Sequence, residues 1–334
     1  MKLTTRVKAI VEVAWISLFV SGAALAQNAS TGAAHSYPTK PIRVVVGFAA
    51  GGPTDVTARI VAQDLTSTWG QPVIVDNRTG ANSLIATETV AQATPDGYTL
   101  LFASLSHNVN AILLPNVNYG PLKSFAPISL AAVLPLLLIA KPDAPFNSVQ
   151  DLVKRARTQP GEVTYGSAGN GGSAHLAAAL LETASGVKMT HVPFRGNAPA
   201  LTEVLAGRVT FMFYPMIGIQ DFVQSKRLKV VAVGTAKRHP DYPSVSTMAE
   251  SGFPGFEYTA PWVGLLAPAR TPPAVVNRLN EGLRSSVVRP ESRKRLESLG
   301  ASIVGNSPAE FTAYLQKDWE RWARVIKAAG VKAE

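Results

Sequence analysis

Gly47-Phe48-Ala49-Ala50-Gly51-Gly52-Pro53-Thr54-Asp55 follows the apolar run Ile42-Arg43-Val44-Val45-Val46 and leads into a helical pattern. A strand, a glycine turn and a helix start, in that order, form the repeating unit of α/β sheets. Gly51 and Gly52 remove the Cβ barrier to a tight turn, and Pro53 suits the first turn of a helix, where its missing N–H is not needed. The helix start carries roughly +0.5 of an elementary charge, so the turn reads either as an anion site or as an ordinary connection. A second stretch favours the anion site. Gly166-Ser167-Ala168-Gly169-Asn170-Gly171-Gly172-Ser173-Ala174-His175 follows the strand Val163-Thr164-Tyr165 and opens the helical run 176–184. The two turns share one grammar in separate parts of the chain, and together they are placed to grip one anion from both sides.

Between and beyond the turns the pattern alternates. In the first part, strands at 42–48, 73–75 and 98–103 are separated by helices at 54–68 and 83–93, with Val56, Ile60, Val61 and Leu65 forming one helical face and Asp55 and Arg59 an exposed i,i+4 pair. The apolar run 128–140 reads as one long strand leading to Lys141-Pro142-Asp143-Ala144-Pro145, after which the alternation restarts, with Ser148 and Asp151 as a capping pair. A second extended run, 256–267, mirrors the first. The chain therefore leaves one lobe, builds another and returns: residues 38–127 and 268–334 form lobe 1, residues 141–255 lobe 2, and 128–140 with 256–267 the crossing segments. Each lobe is expected to be a mainly parallel sheet flanked by helices, with a ligand in the cleft and closure about the two crossings. Ser307-Pro308-Ala309-Glu310 opens a terminal helix whose Phe311, Leu315, Trp319, Trp322 and Ile326 make a core-facing stripe.

The chain has 334 residues, 46% hydrophobic and only 16% charged, which excludes a disordered or coiled-coil protein. Residues 1–26 read as a secretory signal, with Lys2, Arg6 and Lys8, an apolar core at 13–20, and Ala24-Leu25-Ala26 before the cut; residues 27–37 are a polar leader. The core is too short for the ~20 apolar residues of a membrane span. A formal net charge of +10, still basic without the signal, suits anionic solutes. Its basic residues are scattered, which argues against nucleic acid. With no cysteine there is no disulfide or thiolate chemistry, and His35, His107, His175, His191 and His239 lack zinc spacing. Gly169-Asn170-Gly171-Gly172-Ser173-Ala174 matches a dinucleotide fingerprint, but the acidic residue required about 20 positions on is absent. Ser173 and His175 lack the second glycine of a nucleophile elbow and do not face each other on a helix. Nothing implies a cofactor. An exported serine hydrolase remains an alternative.

The stretches Gly47 to Arg59, Asn77-Arg78-Thr79-Gly80-Ala81, Thr94-Pro95-Asp96-Gly97-Tyr98-Thr99-Leu100-Leu101, Tyr165 to Gly171 and His191-Val192-Pro193-Phe194-Arg195-Gly196 resemble the Bug family, the periplasmic binding proteins of tripartite tricarboxylate transporters. The resemblance runs from about Tyr37 to the carboxyl end. It implies a two-lobed, type II-like monomer that closes on a di-, tri- or aromatic carboxylate and hands it to an integral-membrane permease. A sensor-coupled binding protein is the alternative. The family's carboxylate turns, carried over, are Phe48, Ala49, Gly51, Gly52, Thr54 and Asp55 in one lobe and Ser167, Gly169, Asn170, Ser173 and His175 in the other. Ser104, Ser106, Arg195 and Tyr214 are the candidates for reading the rest of the ligand. Three departures stand out: Ala81-Asn82-Ser83 replaces a more glycine-rich run, Phe194-Arg195 replaces the frequent Tyr-Lys, and Tyr214 stands where Asp is common. Loss of that Asp makes amino acids poorer ligands.

Overall fold

The structure, a computed structural model, describes residues 37–329 and 331. The expected signal segment and all but the last residue of the leader lie outside the described residues. From Lys40 onward the described chain folds as one unit. Within it are two sheets, one per lobe, ordered β11-β4-β10-β3-β1-β2 and β7-β6-β8-β5-β9.

The first sheet is built on β1 (Ile42–Val46), which pairs in parallel with β2 (Val73–Asn77) and β3 (Thr99–Ser104). The helices α1 (Pro53–Trp69) and α2 (Leu84–Ala91) connect them, and α3 (Ser106–Leu113) follows β3 directly. The other half of the sheet is antiparallel: β10 (Trp262–Pro268) runs against both β3 and β4 (Phe125–Val133), and β11 (Ser302–Ile303) against β4. Three late helices complete the lobe: α8 (Pro273–Val288), α9 (Pro290–Ser298) and α10 (Pro308–Ala329). α8 and α9 pack with α1, while α10 packs with α3.

The second sheet holds β5 (Leu136–Ala140), β6 (Thr164–Ser167), β7 (Thr190–Pro193), β8 (Phe211–Pro215) and β9 (Lys229–Val233), with helices α4 (Val149–Thr158), α5 (Ser173–Ser185), α6 (Asn197–Leu205) and α7 (Gln220–Gln224) between them. β6 pairs in parallel with β7 and β8, whereas β5 runs antiparallel to β8 and β9. Strand alternation on β8 sends Phe211 and Phe213 into one apolar cluster and Met212 and Tyr214 into another on the opposite face.

The fold is the expected two-lobed α/β arrangement, with two differences of detail. Each sheet is mixed rather than mainly parallel, because strands arriving from the other lobe enter the sheet from the far side. The apolar run 128–140 is also not one strand. It breaks at Leu134-Pro135, where Leu134 N–H donates to Pro261 O (2.8 Å) and Met216 N–H to Pro135 O (2.7 Å). Pro135 has no N–H to give a ladder, so the run is cut into β4 of one sheet and β5 of the other. The second run, 256–267, holds a short 3₁₀ turn at Phe256–Tyr258 before β10.

Capping follows the sequence. Ser148 accepts from Asp151 N–H at 3.1 Å, and Ser307 and Glu310 exchange bonds in both directions. The terminal stripe differs at one position: Asp318 is buried (1% exposed) and Trp319 only half-buried. Asp318 is tolerated because Trp262 Nε1 and Asn108 Nδ2 each donate to its Oδ2 at 3.0 Å, and Arg321 pairs with Oδ1.

Candidate functional site

Four helices begin at one small cavity of about 20 Å³. Its walls include Pro53 and Thr54 at the start of α1, Leu105 and Ser106 at the start of α3, Gly172 and Ser173 at the start of α5, and Asn197 at the start of α6. α1 and α3 belong to the first lobe, α5 and α6 to the second. Each start leaves backbone N–H groups without intrahelical partners and adds a partial positive charge. Among the described residues no Asp, Glu, Lys, Arg or His lines this cavity, so its potential comes from the backbone.

Five glycine amides of the two turns are already engaged within the turns. Gly51 N–H donates to Asp55 Oδ2 (2.9 Å), Gly52 N–H to Ala49 O (3.4 Å), Gly169 N–H to Ser167 Oγ (3.1 Å), Gly171 N–H to His175 Nδ1 (2.9 Å) and Gly172 N–H to Gly169 O (3.1 Å). Each turn is thus braced by its own residues, and the first helical turns add further donors, Thr54 and Ser173 among them. Asp55 also departs from its expected exposed position. It is 2% exposed, and Asn77 Nδ2 donates to its Oδ1 (2.9 Å) while Arg59 pairs with both oxygens. Burial alone raises its carboxyl; the bonds from Arg59, Gly51 and Asn77 outweigh burial and hold the pKa below the usual value.

A larger cavity of about 230 Å³ lies beside the small one, with Asn82 and Ala168 forming walls of both. Leu113, Leu114, Pro193 and Phe194 give it an apolar side; Asn82, Asn110, Asn170 and Arg195 give it polar groups. Arg195 is exposed, and among the described residues its guanidinium has no ion pair. Asn82 sits in a left-handed turn of three consecutive non-glycine residues, Ala81 (φ 44°), Asn82 (φ 51°) and Ser83 (φ 73°). Such residues cost roughly 1–2 kcal/mol each relative to ordinary backbone, less for Asn. Close packing holds the turn: a Cβ on Gly47 would lie 1.8 Å from Ser83 Oγ, so only glycine at 47 lets the serine seat there.

The sequence-derived residues divide as follows. Phe48, Thr54, Ser104, Ser106 and Ser173 line the small cavity; Gly169, Asn170 and Arg195 line the large one. Ala49, Gly51, Gly52, Asp55, Ser167, His175 and Tyr214 line neither. Ala49 instead joins the lobes through its N–H to Arg195 O (3.2 Å), and Gly51, Gly52 and Asp55 shape the first turn. Tyr214 is buried in the second lobe (2% exposed), packed among Leu137, Ile139 and Met212. Ser167 and His175 act behind the second turn. Ser167 Oγ bonds His191 Nε2 (2.6 Å), and the His175 and His191 rings stack at 4.3 Å with Tyr165 beside them. Burial, helped by His175, pushes His191 down to about 3, so the His191 ring is neutral at ordinary pH.

Residues that sequence reading missed are Asn82, Asn110, Leu113, Leu114, Phe194 and Asn197. Phe194 and the 81–83 run carry a sequence signal, as departures from the family pattern. Asn197 carries one as the first residue of a helix behind Gly196. The residues of α3 carry none, because a helical face chosen by tertiary packing is not marked locally.

A family model described as the tripartite tricarboxylate transporter family receptor matches residues 57–331. The chain is similar to the solved periplasmic binding protein BugD, at 35% identity and TM-score 0.86 over 89% of this chain and 100% of that one. An R. palustris protein solved with adipate matches at 34% identity and TM-score 0.85, covering 89% and 99%. MatC from Rhodopseudomonas palustris with bound malate matches at 32% and 0.83, covering 87% and 100%.

Proposed function

We propose, for a chain that belongs to the tripartite tricarboxylate transporter receptor family and is a periplasmic solute-binding protein rather than an enzyme, that its ligand is a small carboxylate delivered to an integral-membrane permease. The observation that carries this reading is the convergence of four helix starts, two from each lobe, on one cavity without charged side chains. A carboxylate there takes donors from both lobes and so favours the closed form over the open one. Thr54, Ser104, Ser106 and Ser173 are its partners in the small cavity. The rest of the ligand occupies the larger cavity, against Leu113, Leu114 and Phe194, with Arg195 meeting a distal charge.

About 230 Å³ is below the ~300–1,000 Å³ of drug-sized sites, which suits a solute the size of a short dicarboxylate. Adipate and malate, held by two relatives, are of that class. The reading extends to export through the 1–26 signal with cleavage after Ala26, and to a monomer that acts by hinge closure. The test is a thermal-shift panel of mono-, di-, tri- and aromatic carboxylates. A ligand present at 100 times its Kd stabilises the fold by about 2.7 kcal/mol. Stabilisation by members of the panel is expected; no shift from any of them contradicts the reading.

A further inference from the structure

We infer that Asn82 selects ligands carrying a hydroxyl on the carbon beside the clamped carboxylate, so that this receptor prefers 2-hydroxycarboxylates to their deoxy counterparts. The inference rests on the carboxylate reading above and adds to it the class of ligand.

Asn82 is 8% exposed and forms a wall of both cavities. The orientation of its carboxamide is fixed by a chain of bonds. Asn110 Nδ2 donates to the backbone oxygen of Asn82 at 2.9 Å and of Ala81 at 3.5 Å, both obligate acceptors. Asn110 Oδ1 is therefore the atom turned to the Asn82 side chain, at 3.2 Å, and it requires the Asn82 Nδ2 donor there. Asn82 Oδ1 is left on the other side, close to Gly172, a wall of the small cavity. It is buried and has no hydrogen-bond partner among the described residues. Two more groups on the same cavity share that condition, Ser106 Oγ and Asn197 Oδ1.

A carboxylate has only acceptors and cannot satisfy two carboxamide oxygens; it needs a donor between itself and them. A cavity of about 20 Å³ holds one small polar group, so the donor arrives next to the carboxylate, at the boundary where Asn82 stands. A hydroxyl on the adjacent carbon supplies it and removes the cost of the buried orphan oxygen. An ammonium is the poorer fit, since no Asp or Glu lines either cavity among the described residues. Asn82 is also held at φ 51°, between two neighbours that have positive φ themselves. A glycine at that φ carries no strain, so the carboxamide is retained there at a conformational cost.

The experiment is calorimetric titration of the full mature chain with matched pairs: malate and succinate, lactate and propionate, mandelate and phenylacetate, 2-hydroxyadipate and adipate, with both enantiomers of each hydroxy acid. For the pair that binds, one enantiomer of the hydroxy acid is expected to bind about tenfold tighter than the deoxy acid, the size of one net hydrogen bond. Asn82→Gly, which suits the positive φ, is expected to bring that ratio near one, and a cooperative melt of the ligand-free variant shows that it is folded. Equal binding of both members in the native chain, or a preference that survives in Asn82→Gly, overturns the inference and leaves the carboxylate reading standing. Tighter binding of aspartate than of malate overturns the assignment of a neutral donor. Binding of no member of any pair overturns the carboxylate reading and this inference with it.

Discussion

Asp55 and Arg195 carry opposite roles that the sequence alone does not separate. Asp55 sits in the first turn of α1, where an acid offsets the helix charge, and it spends both oxygens on Gly51, Asn77 and Arg59. Its effect is on the turn rather than the ligand. Asp55→Ala is expected to lower stability by roughly 1.5–3 kcal/mol, read by denaturant unfolding, because it leaves the Gly51 N–H and the Asn77 amide without their acceptor. Its lowered pKa gives a contribution present above about 3.8 and lost as pH falls through the still lower folded value. Arg195, exposed at the large cavity and free of ion pairs among the described residues, has its effect on the ligand. Arg195→Ala is expected to weaken a dicarboxylate about tenfold and a matched monocarboxylate little, by titration; equal losses remove it from the distal position.

Among the elements, α3 joins the two halves of the account. One side gives Ser106 to the small cavity and Leu113 to the large; the other gives Asn108 to the packing under α10 and His107 to Pro121 O beside Tyr119 and Phe125. His107 is buried (1% exposed), its Nε2–H donates to Pro121 O (2.9 Å), and its Nδ1 has no partner among the described residues. Burial pushes its pKa down to about 4. A second proton is therefore bound by the unfolded chain near pH 6.5 but by the folded one only near 4. Stability is complete above about 6.5 and falls toward pH 4, by up to about 1.4 kcal/mol per pH unit from this group. Melting temperature against pH is expected to fall over that window, less steeply in His107→Gln. The strand-turn-helix units around β1 and β6 were legible in sequence because periodicity and glycine mark them locally. The Asp318 position in α10 was not, since the tryptophan at 319 fits the apolar stripe better and only the Trp262 and Asn108 donors make a buried acid acceptable.

At the scale of the whole molecule the lobes touch directly. Leu176 of α5 packs with Leu105 and Val109 of α3 and with Trp322 and Ile326 of α10, a small apolar cluster across the cleft. Ala49 and Arg195 add a backbone bond. Closure thus has favourable contacts of its own, and the ligand adds to them. Leu176→Ala is expected to shift the ligand-free protein toward the open form, read as a larger radius of gyration in scattering, and to reduce apparent affinity in proportion to the lost closed population. The two lobes and their crossings were readable from the restart of the α/β pattern after residue 140. Of the cavity walls, the two turns with Ser104, Ser106 and Arg195 were read from sequence, whereas Asn110, Leu113 and Asn197 were not, because they reach the cavities through tertiary packing that no local pattern encodes. The most direct test is a crystal structure with a bound dicarboxylate. One carboxylate is expected between the lobes, with its oxygens at hydrogen-bond distance, roughly 2.7–3.2 Å, from the first-turn amides of Thr54 and Ser173 or bridged to them by one water. A carboxylate seated elsewhere, with those helix starts unengaged, contradicts the account.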